Sequence, residues 1–311
     1  MTIGFIGLGL MGSRMAGHVQ AAHGALVVHN RTRDKAAASI EGGAAWKESP
    51  RAVGEAVDIV ITMLADPGAV EAVALGGDGL LAGMKENALW IDCTTVNPSF
   101  TRRMAAAAAE ARVRFVDAPV AGSTVPAEKG ELVVFVGGSG DDVMEARPLL
   151  EPFAKVVHHM GATGMGSAMK MVNNTFLGYA MAGFSEAVNL GRHLGIDEQA
   201  IHDIIVGGPL IAPFISLKKP RIDGDDYSPQ FPLRLMYKDL ALACSSAYEV
   251  QVPVDVLAAV TQRFAAASSA GMGDLDFSAL YRFMNGEEPA GGAGPRSGGA
   301  GPRSGPGEGT E

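Results

Sequence analysis

Ile3-Gly-Phe-Ile-Gly-Leu-Gly-Leu-Met-Gly12 stands at the head of the chain, and its reading decides the fold. Gly7, Gly9 and Gly12 form a G-x-G-x-x-G pattern directly after the apolar run 3–6, and residues 13–20 read as a helix. Each glycine has a physical task. The first makes a tight turn, the second lets backbone approach a pyrophosphate, and the third lets helix and strand pack closely. The helix then points its free N–H groups and positive dipole end at the phosphates. Strand, turn and helix together predict a dinucleotide site built on Gly7, Leu8, Gly9, Leu10, Met11 and Gly12. The pattern alone would be weak in a chain with 41 glycines; its place in strand–turn–helix order gives it weight.

Residues 25–30 form the expected second strand. Its end selects the cofactor, because a carboxylate there binds a ribose 2′-hydroxyl and repels a 2′-phosphate. Here the position is Asn30, followed by Arg31, Thr32 and Arg33. An amide, a guanidinium and a hydroxyl suit a 2′-phosphate. NADP(H) is therefore expected to be preferred, with NAD(H) also possible, and Asn30, Arg31 and Thr32 are the residues expected to read it.

Strands are predicted at 57–64, 89–93, 113–117, 131–137 and 155–159, with helices at 34–42, 69–75, 99–111 and 140–152 between them. Such alternation predicts an α/β doubly wound sheet, a Rossmann domain. Ligands sit beyond the carboxyl ends of its strands, which brings Met63, Leu64, Thr95 and the loop from Gly122 to the mouth. After Gly161 no convincing strand follows. Gly164-Met165-Gly166 is expected to open a long helix to about His193, with further helices at 198–206, 209–219, 232–249, 253–270 and 276–285. The expected organisation is a Rossmann domain over 1–162 and an all-α domain over 163–288, joined by a long interdomain helix. Residues 289–311 carry Gly-Gly-Ala-Gly-Pro-Arg-Ser twice in tandem. With almost no apolar side chain to bury, that tail is expected to be disordered.

The totals exclude several function classes. A formal net charge of −9 argues against general nucleic-acid binding. Cys93 and Cys244, the two cysteines, stand in no metal or redox spacing and suit a reducing cytoplasm. His158 and His159 are adjacent on a strand, point to opposite faces and cannot chelate one metal. No metal is expected. No apolar run is long and clean enough to span a bilayer, and Met1 leads into a strand rather than a secretion signal.

Lys170, Asn173 and Asn174 stand at i, i+3 and i+4 and share a helix face. Asparagine gains nothing from a helix interior by itself. In a partly desolvated cleft a lysine pKa falls, which suits proton transfer. The Gly122-Ser123-Thr124 turn offers backbone N–H groups and two hydroxyls to a carboxylate.

Four segments together resemble the β-hydroxyacid dehydrogenase family: 4–12, Asp117-Ala-Pro-Val-Ala-Gly-Ser123, Gly166-Ser-Ala-Met-Lys170-Met-Val-Asn173-Asn174, and Lys238-Asp239-Leu240. The match covers about residues 3–285. The resemblance implies that Lys170 is the general acid/base on the substrate hydroxyl and that Asn174 helps hold the substrate. It also implies that the turn at Gly122 and Ser123 binds the acid group. The family's usual Ser-Gly reads Ala121-Gly122 here, so the donor within that turn stays open. Phe231-Pro-Leu and Ser123-Thr-Val-Pro126-Ala127-Glu128 resemble the glyoxylate/succinic semialdehyde reductase branch. There Phe231 and Asp239 would line the substrate pocket and Lys238 would contact the cofactor. The implied activity interconverts a short hydroxy acid with its semialdehyde or keto acid, in a homodimer or homotetramer. Phe231 reads equally well as core packing. An imine reductase-like enzyme and a catalytically inactive interaction module are the competing readings, and Lys170 argues against both.

Overall fold

A computed structural model describes residues 2–286; the tail expected to be disordered lies outside them. Among the described residues nine strands run as β1 Ile3–Ile6, β2 Val27–His29, β3 Ala45–Trp46, β4 Ile59–Thr62, β5 Leu89–Asp92, β6 Arg114–Asp117, β7 Val120–Ala121, β8 Leu132–Gly137 and β9 Ala154–Gly161. Interleaved with them are α1 Gly12–His23, α2 Ala37–Glu41, α3 Pro50–Ala56, α4 Pro67–Leu75, α5 Leu80–Gly83, α6 Pro98–Glu110, α7 Thr124–Lys129 and α8 Gly140–Leu150. Only helices of any length follow: α9 Met165–His193, α10 Glu198–Val206, α11 Pro213–Asp223, α12 Leu233–Glu249, α13 Asp255–Ala267 and α14 Ala279–Met284.

The sheet order is β3-β2-β1-β4-β5-β6-β8-β7, with β9 paired to β8. The six strands from β3 to β6 are parallel, and β8 runs antiparallel to β6 and β7. Strand order reverses beside β1, so a crevice opens where β1 and β4 end. The central strands alternate between two cores. Phe5, Ile61 and Ile91 pack with α1 and α8 residues such as Met15 and Leu149. Ile6, Val60 and Trp90 pack on the other face with α3, α4 and α6 residues such as Val53, Val70 and Phe100. Burial on both faces explains the near-continuous apolar runs. A third core joins α9 to α12, α13 and α14 through Met181, Phe184, Met236, Leu240 and Phe264. Among the described residues no helix is long and apolar enough to cross a membrane.

Several boundaries differ from the sequence reading. The second strand ends at His29, which leaves Asn30 in the loop beyond it. The helix expected at 34–42 opens as a 3-10 turn, Arg33–Ala36, before α2. The helix expected at 209–219 is Pro213–Asp223, because Pro213 sits at its first turn, where a missing N–H costs nothing. The one expected at 253–270 stops at Ala267, followed by a wider turn in which Gly271 takes φ 90°. Helix α3, capped by the Ser49 hydroxyl on the Ala52 N–H, had not been expected, and neither had α7. The antiparallel return of β8 has a simple cause: the short α7 connection is no parallel crossover.

Candidate active site

The glycine turn after β1 divides its glycines by task. Gly7 takes φ 99°, and a Cβ there would lie 2.2 Å from the Met63 carbonyl oxygen. A Cβ on Gly12 would lie 1.9 Å from the Gly7 carbonyl oxygen. A Cβ on Gly9 would have nothing within 4 Å. Two glycines are thus required by the protein's own packing, and the third faces open space at the start of α1. A side chain at Gly9 would fill that cradle, so the turn fits a dinucleotide phosphate.

Asn30 plays a part the sequence did not assign. Its Oδ1 accepts the Leu8 N–H at 3.0 Å, and its Nδ2 donates to the Thr32 carbonyl at 2.8 Å. The amide is spent on tying the glycine turn to the loop after β2. Arg31 and Thr32 are exposed, and Arg31 has no hydrogen-bond or ion-pair partner among the described residues. Arg33 differs: its guanidinium lies 3.5 Å from Glu48 and over the Trp46 ring.

The ends of β4 and β5 form the next wall. The Met63 N–H reaches the Ile6 carbonyl at 3.0 Å, and the Leu64 N–H reaches the Thr94 hydroxyl at 3.0 Å. Below them Asp92 is buried and accepts from the Thr62 hydroxyl at 2.7 Å and the Thr94 N–H at 3.1 Å. Burial raises its carboxyl to about 6, against these two bonds.

Helix α9 is anchored from the other domain. Gly164 precedes it with φ 91° and supplies no side-chain cap. Asp117, at the end of β6, substitutes for one: Oδ1 accepts the Gly164 N–H at 2.7 Å and Oδ2 the Ser167 N–H at 2.8 Å. A Cβ on Gly166 would lie 2.3 Å from the Phe135 carbonyl oxygen, so only glycine lets α9 seat against β8. One turn further along, Lys170 is 6% exposed and makes no hydrogen bond among the described residues. Burial lowers its pKa to about 8; Asp239 pulls it up and Lys238 pushes it down.

Beside Lys170, Asn173, Asn174, Asp239, Lys238 and Thr95 form one chain of contacts. Asn173 Nδ2 donates to Asn174 Oδ1 at 2.9 Å, and Asn174 Nδ2 donates to Asp239 Oδ2 at 2.6 Å. Asp239 Oδ1 lies 2.9 Å from Lys238 Nζ without hydrogen-bond alignment. Lys238 Nζ donates instead to the Thr95 carbonyl at 2.7 Å. The structure thus links Asn174, Asp239, Lys238 and Thr95 across the two domains, with Lys170 one turn before Asn174 on α9. Two other expected residues make no hydrogen bond to this group among the described residues. Phe231 is partly buried and packs on Phe277 with ring centroids 5.7 Å apart, against the core of the helical domain. Ser123 precedes α7, with Gly122 at φ 125° before it, and its hydroxyl is not spent on capping that helix. Asp92 and Asp117 are the residues that sequence reasoning left without a role. For Asp117 the available signal was a helix start with no capping side chain of its own.

Comparison with known proteins agrees with this architecture. Residues 2–161 match the family model described as the NAD binding domain of 6-phosphogluconate dehydrogenase. Residues 164–284 match the one described as NAD-binding of NADP-dependent 3-hydroxyisobutyrate dehydrogenase. The chain is 34% identical over 280 residues to glyoxylate/succinic semialdehyde reductase 2 of Arabidopsis thaliana, covering 90% of this chain and 78% of the relative. It is 36% identical over 295 residues to 2-(hydroxymethyl)glutarate dehydrogenase of Eubacterium barkeri, covering 93% and 98%. The solved 3-hydroxyisobutyrate dehydrogenase of Mycobacterium tuberculosis with L-serine superposes with a TM-score of 0.82 at 29% identity, covering 91% of this chain and 98% of that one.

Proposed function

The chain belongs to the β-hydroxyacid dehydrogenase family, and on that premise we propose that it is an NADP(H)-preferring enzyme with Lys170 as its general acid/base. Membership makes it an NAD(P)-dependent oxidoreductase of hydroxy acids and semialdehydes. The observation that carries the finer reading is the state of Lys170. It is a buried amine with no hydrogen-bond acceptor among the described residues, and its pKa is lowered to about 8. An amine so placed gives and takes a proton near neutral pH.

A nicotinamide cofactor held at the glycine turn supplies or accepts the hydride. The protein's residues do the rest. In the reducing direction Lys170 Nζ gives its proton to the substrate carbonyl oxygen; in the oxidising direction it takes the hydroxyl proton. Asn174 and Asp239 hold the substrate beside it, and Lys238 joins that group to the cofactor side through Thr95. The Gly122–Ser123 turn binds the substrate carboxylate through the Ser123 hydroxyl and backbone N–H groups. The substrate is a short aldehyde or keto acid, or the matching hydroxy acid. Unpartnered Arg31 supports preference for a 2′-phosphate; Asn30 supports the cofactor by shaping the turn. Val172 and Phe176, four residues apart on α9, are 62% and 67% exposed, which supports self-association.

Nicotinamide absorbance tests this reading with glyoxylate, succinic semialdehyde, tartronate semialdehyde, methylmalonate semialdehyde and a set of cyclic imines. Turnover of at least one aldehyde acid with NADPH is expected. Turnover confined to the imines overturns it.

A further inference from the structure

Helix α1 grips α7 at two points. Arg14 Nε donates to Glu128 Oε1 at 2.8 Å, and Nη2 lies 2.7 Å from the same oxygen. His18 Nε2 lies 3.0 Å from the Ala127 carbonyl and 3.1 Å from the Glu128 carbonyl. Carbonyls only accept, so that nitrogen carries the hydrogen. Gly130 ends α7 in the left-handed region at φ 69°, and a Cβ there would lie 3.4 Å from His18 Cε1. The third Arg14 nitrogen turns the other way: Nη1 donates to the Leu10 carbonyl at 2.6 Å, inside the glycine turn. One guanidinium therefore touches the turn that faces the phosphates and the helix that begins at the Gly122–Ser123 turn. A planar, forked cation can hold two acceptors in fixed directions at once.

We propose that Arg14 is a positioning residue that transmits the state of the glycine turn to the substrate-carboxylate turn at Gly122–Ser123. It rests on the reading of that turn given under the proposed function. Arg14 touches no reacting atom. Its Leu10 bond fixes one end of the linkage and its Glu128 pair the other, so a shift of the glycine turn on cofactor binding moves α7 and the hydroxyl that precedes it. The consequence falls on substrate affinity rather than on proton transfer.

The test measures KM for the best aldehyde acid, kcat, NADPH affinity by fluorescence titration, and thermal midpoint. Glu128→Gln weakens the α7 end by removing its charge while leaving an acceptor oxygen. KM is expected to rise about two- to fivefold, the scale of a half-exposed pair, with kcat and NADPH affinity unchanged. The exchanged pair Arg14→Glu with Glu128→Arg rebuilds the ion pair but has no donor at position 14 for Leu10. It is expected to recover the thermal midpoint and to leave KM raised. Recovery of KM in the exchanged pair makes the contact a local staple on α7 and overturns the proposal, as does an unchanged KM in Glu128→Gln. Ser123→Ala separates the two readings. If it raises KM while Glu128→Gln does not, only the Arg14 linkage fails. If it leaves KM unchanged, the carboxylate reading fails and takes the linkage with it.

Discussion

Lys238 Nζ donates to the carbonyl oxygen of Thr95 at 2.7 Å, so an ammonium on α12 is bonded to the loop that follows β5. The same ammonium faces Asp239 at 2.9 Å. Two lysines, Lys170 and Lys238, thus share one buried carboxylate, and their charges oppose each other there. Asp239 stabilises a proton on Lys170, and Lys238 disfavours it.

That arrangement fixes a pH dependence. With Lys170 as the proposed acid, reduction would need it protonated, so kcat/KM should be level below about 8 and fall above it. Lys238→Met removes the like charge, so the Lys170 pKa rises and the alkaline limb moves to higher pH. Asp239→Asn removes the opposite charge and moves the limb to lower pH. Profiles of kcat/KM against pH for the three proteins check the signs. A limb that stays in place in both variants would show that another group titrates.

The glycine turn separates folding from binding. Gly9→Ala places its methyl in open space. It should leave the thermal midpoint within about 1 °C of wild type, since surface changes are worth only about ±0.5 kcal/mol. NADPH affinity should fall at least about tenfold, because the methyl occupies the phosphate's approach. Gly12→Ala drives its methyl into the Gly7 carbonyl oxygen and should lower both. Differential scanning fluorimetry beside NADPH titration gives the comparison. Equal midpoints for the two variants would contradict it.

Much of this was legible in the chain, for a physical reason. Each motif worked through spacing along one element: Gly7, Gly9 and Gly12 on one turn, Lys170 and Asn174 on one helix face. Buried strands announced themselves as apolar runs. What stayed hidden depends on partners distant in sequence. Asn30 sits at the position where a 2′-phosphate reader is expected, yet its amide is taken by Leu8 and Thr32. Asp117 caps a helix that starts 48 residues later, at Met165. Phe231 carried equal signals for pocket and core, and its ring, partly buried, packs on Phe277 at the core's edge. Short elements such as α7 carry too few residues for a period to show.

Cofactor preference isolates Arg31 from its neighbour. Arg33 pairs with Glu48 and Trp46, and Arg31 has no partner among the described residues. Arg31→Ala should therefore reduce the preference for NADPH over NADH by about ten- to a hundredfold, the range of one charge-assisted contact. Arg33→Ala should change it much less. The ratio of kcat/KM for the two cofactors reports both. Loss of preference in Arg33→Ala with none in Arg31→Ala would reverse the assignment.

Removing the Lys170 amine should abolish turnover and stabilise the fold. General acid–base groups contribute typically about 10²–10⁴-fold, so kcat for Lys170→Met should fall by at least that range. NADPH binding should persist, because the glycine turn lies in the other domain. Lys170→Arg should not rescue activity, since a guanidinium keeps its proton near neutral pH. The stability effect follows from the lowered pKa. Between about 8 and the ordinary 10.5 the unfolded chain binds the lysine proton and the folded chain has released it. Stability therefore rises with pH across that window, and below it the folded state bears the full cost of burying the charge. At about 1.4 kcal/mol per pH unit the cost at pH 7 is on the order of 3 kcal/mol. Methionine removes it, offset in part by leaving Asp239 with Lys238 alone. The thermal midpoint of Lys170→Met should exceed that of wild type at pH 7, and the gap should narrow as pH approaches 10. A lower midpoint at pH 7 would mean that Lys170 is not desolvated, and retention of a tenth of wild-type turnover would pass the proton to another group in the cleft.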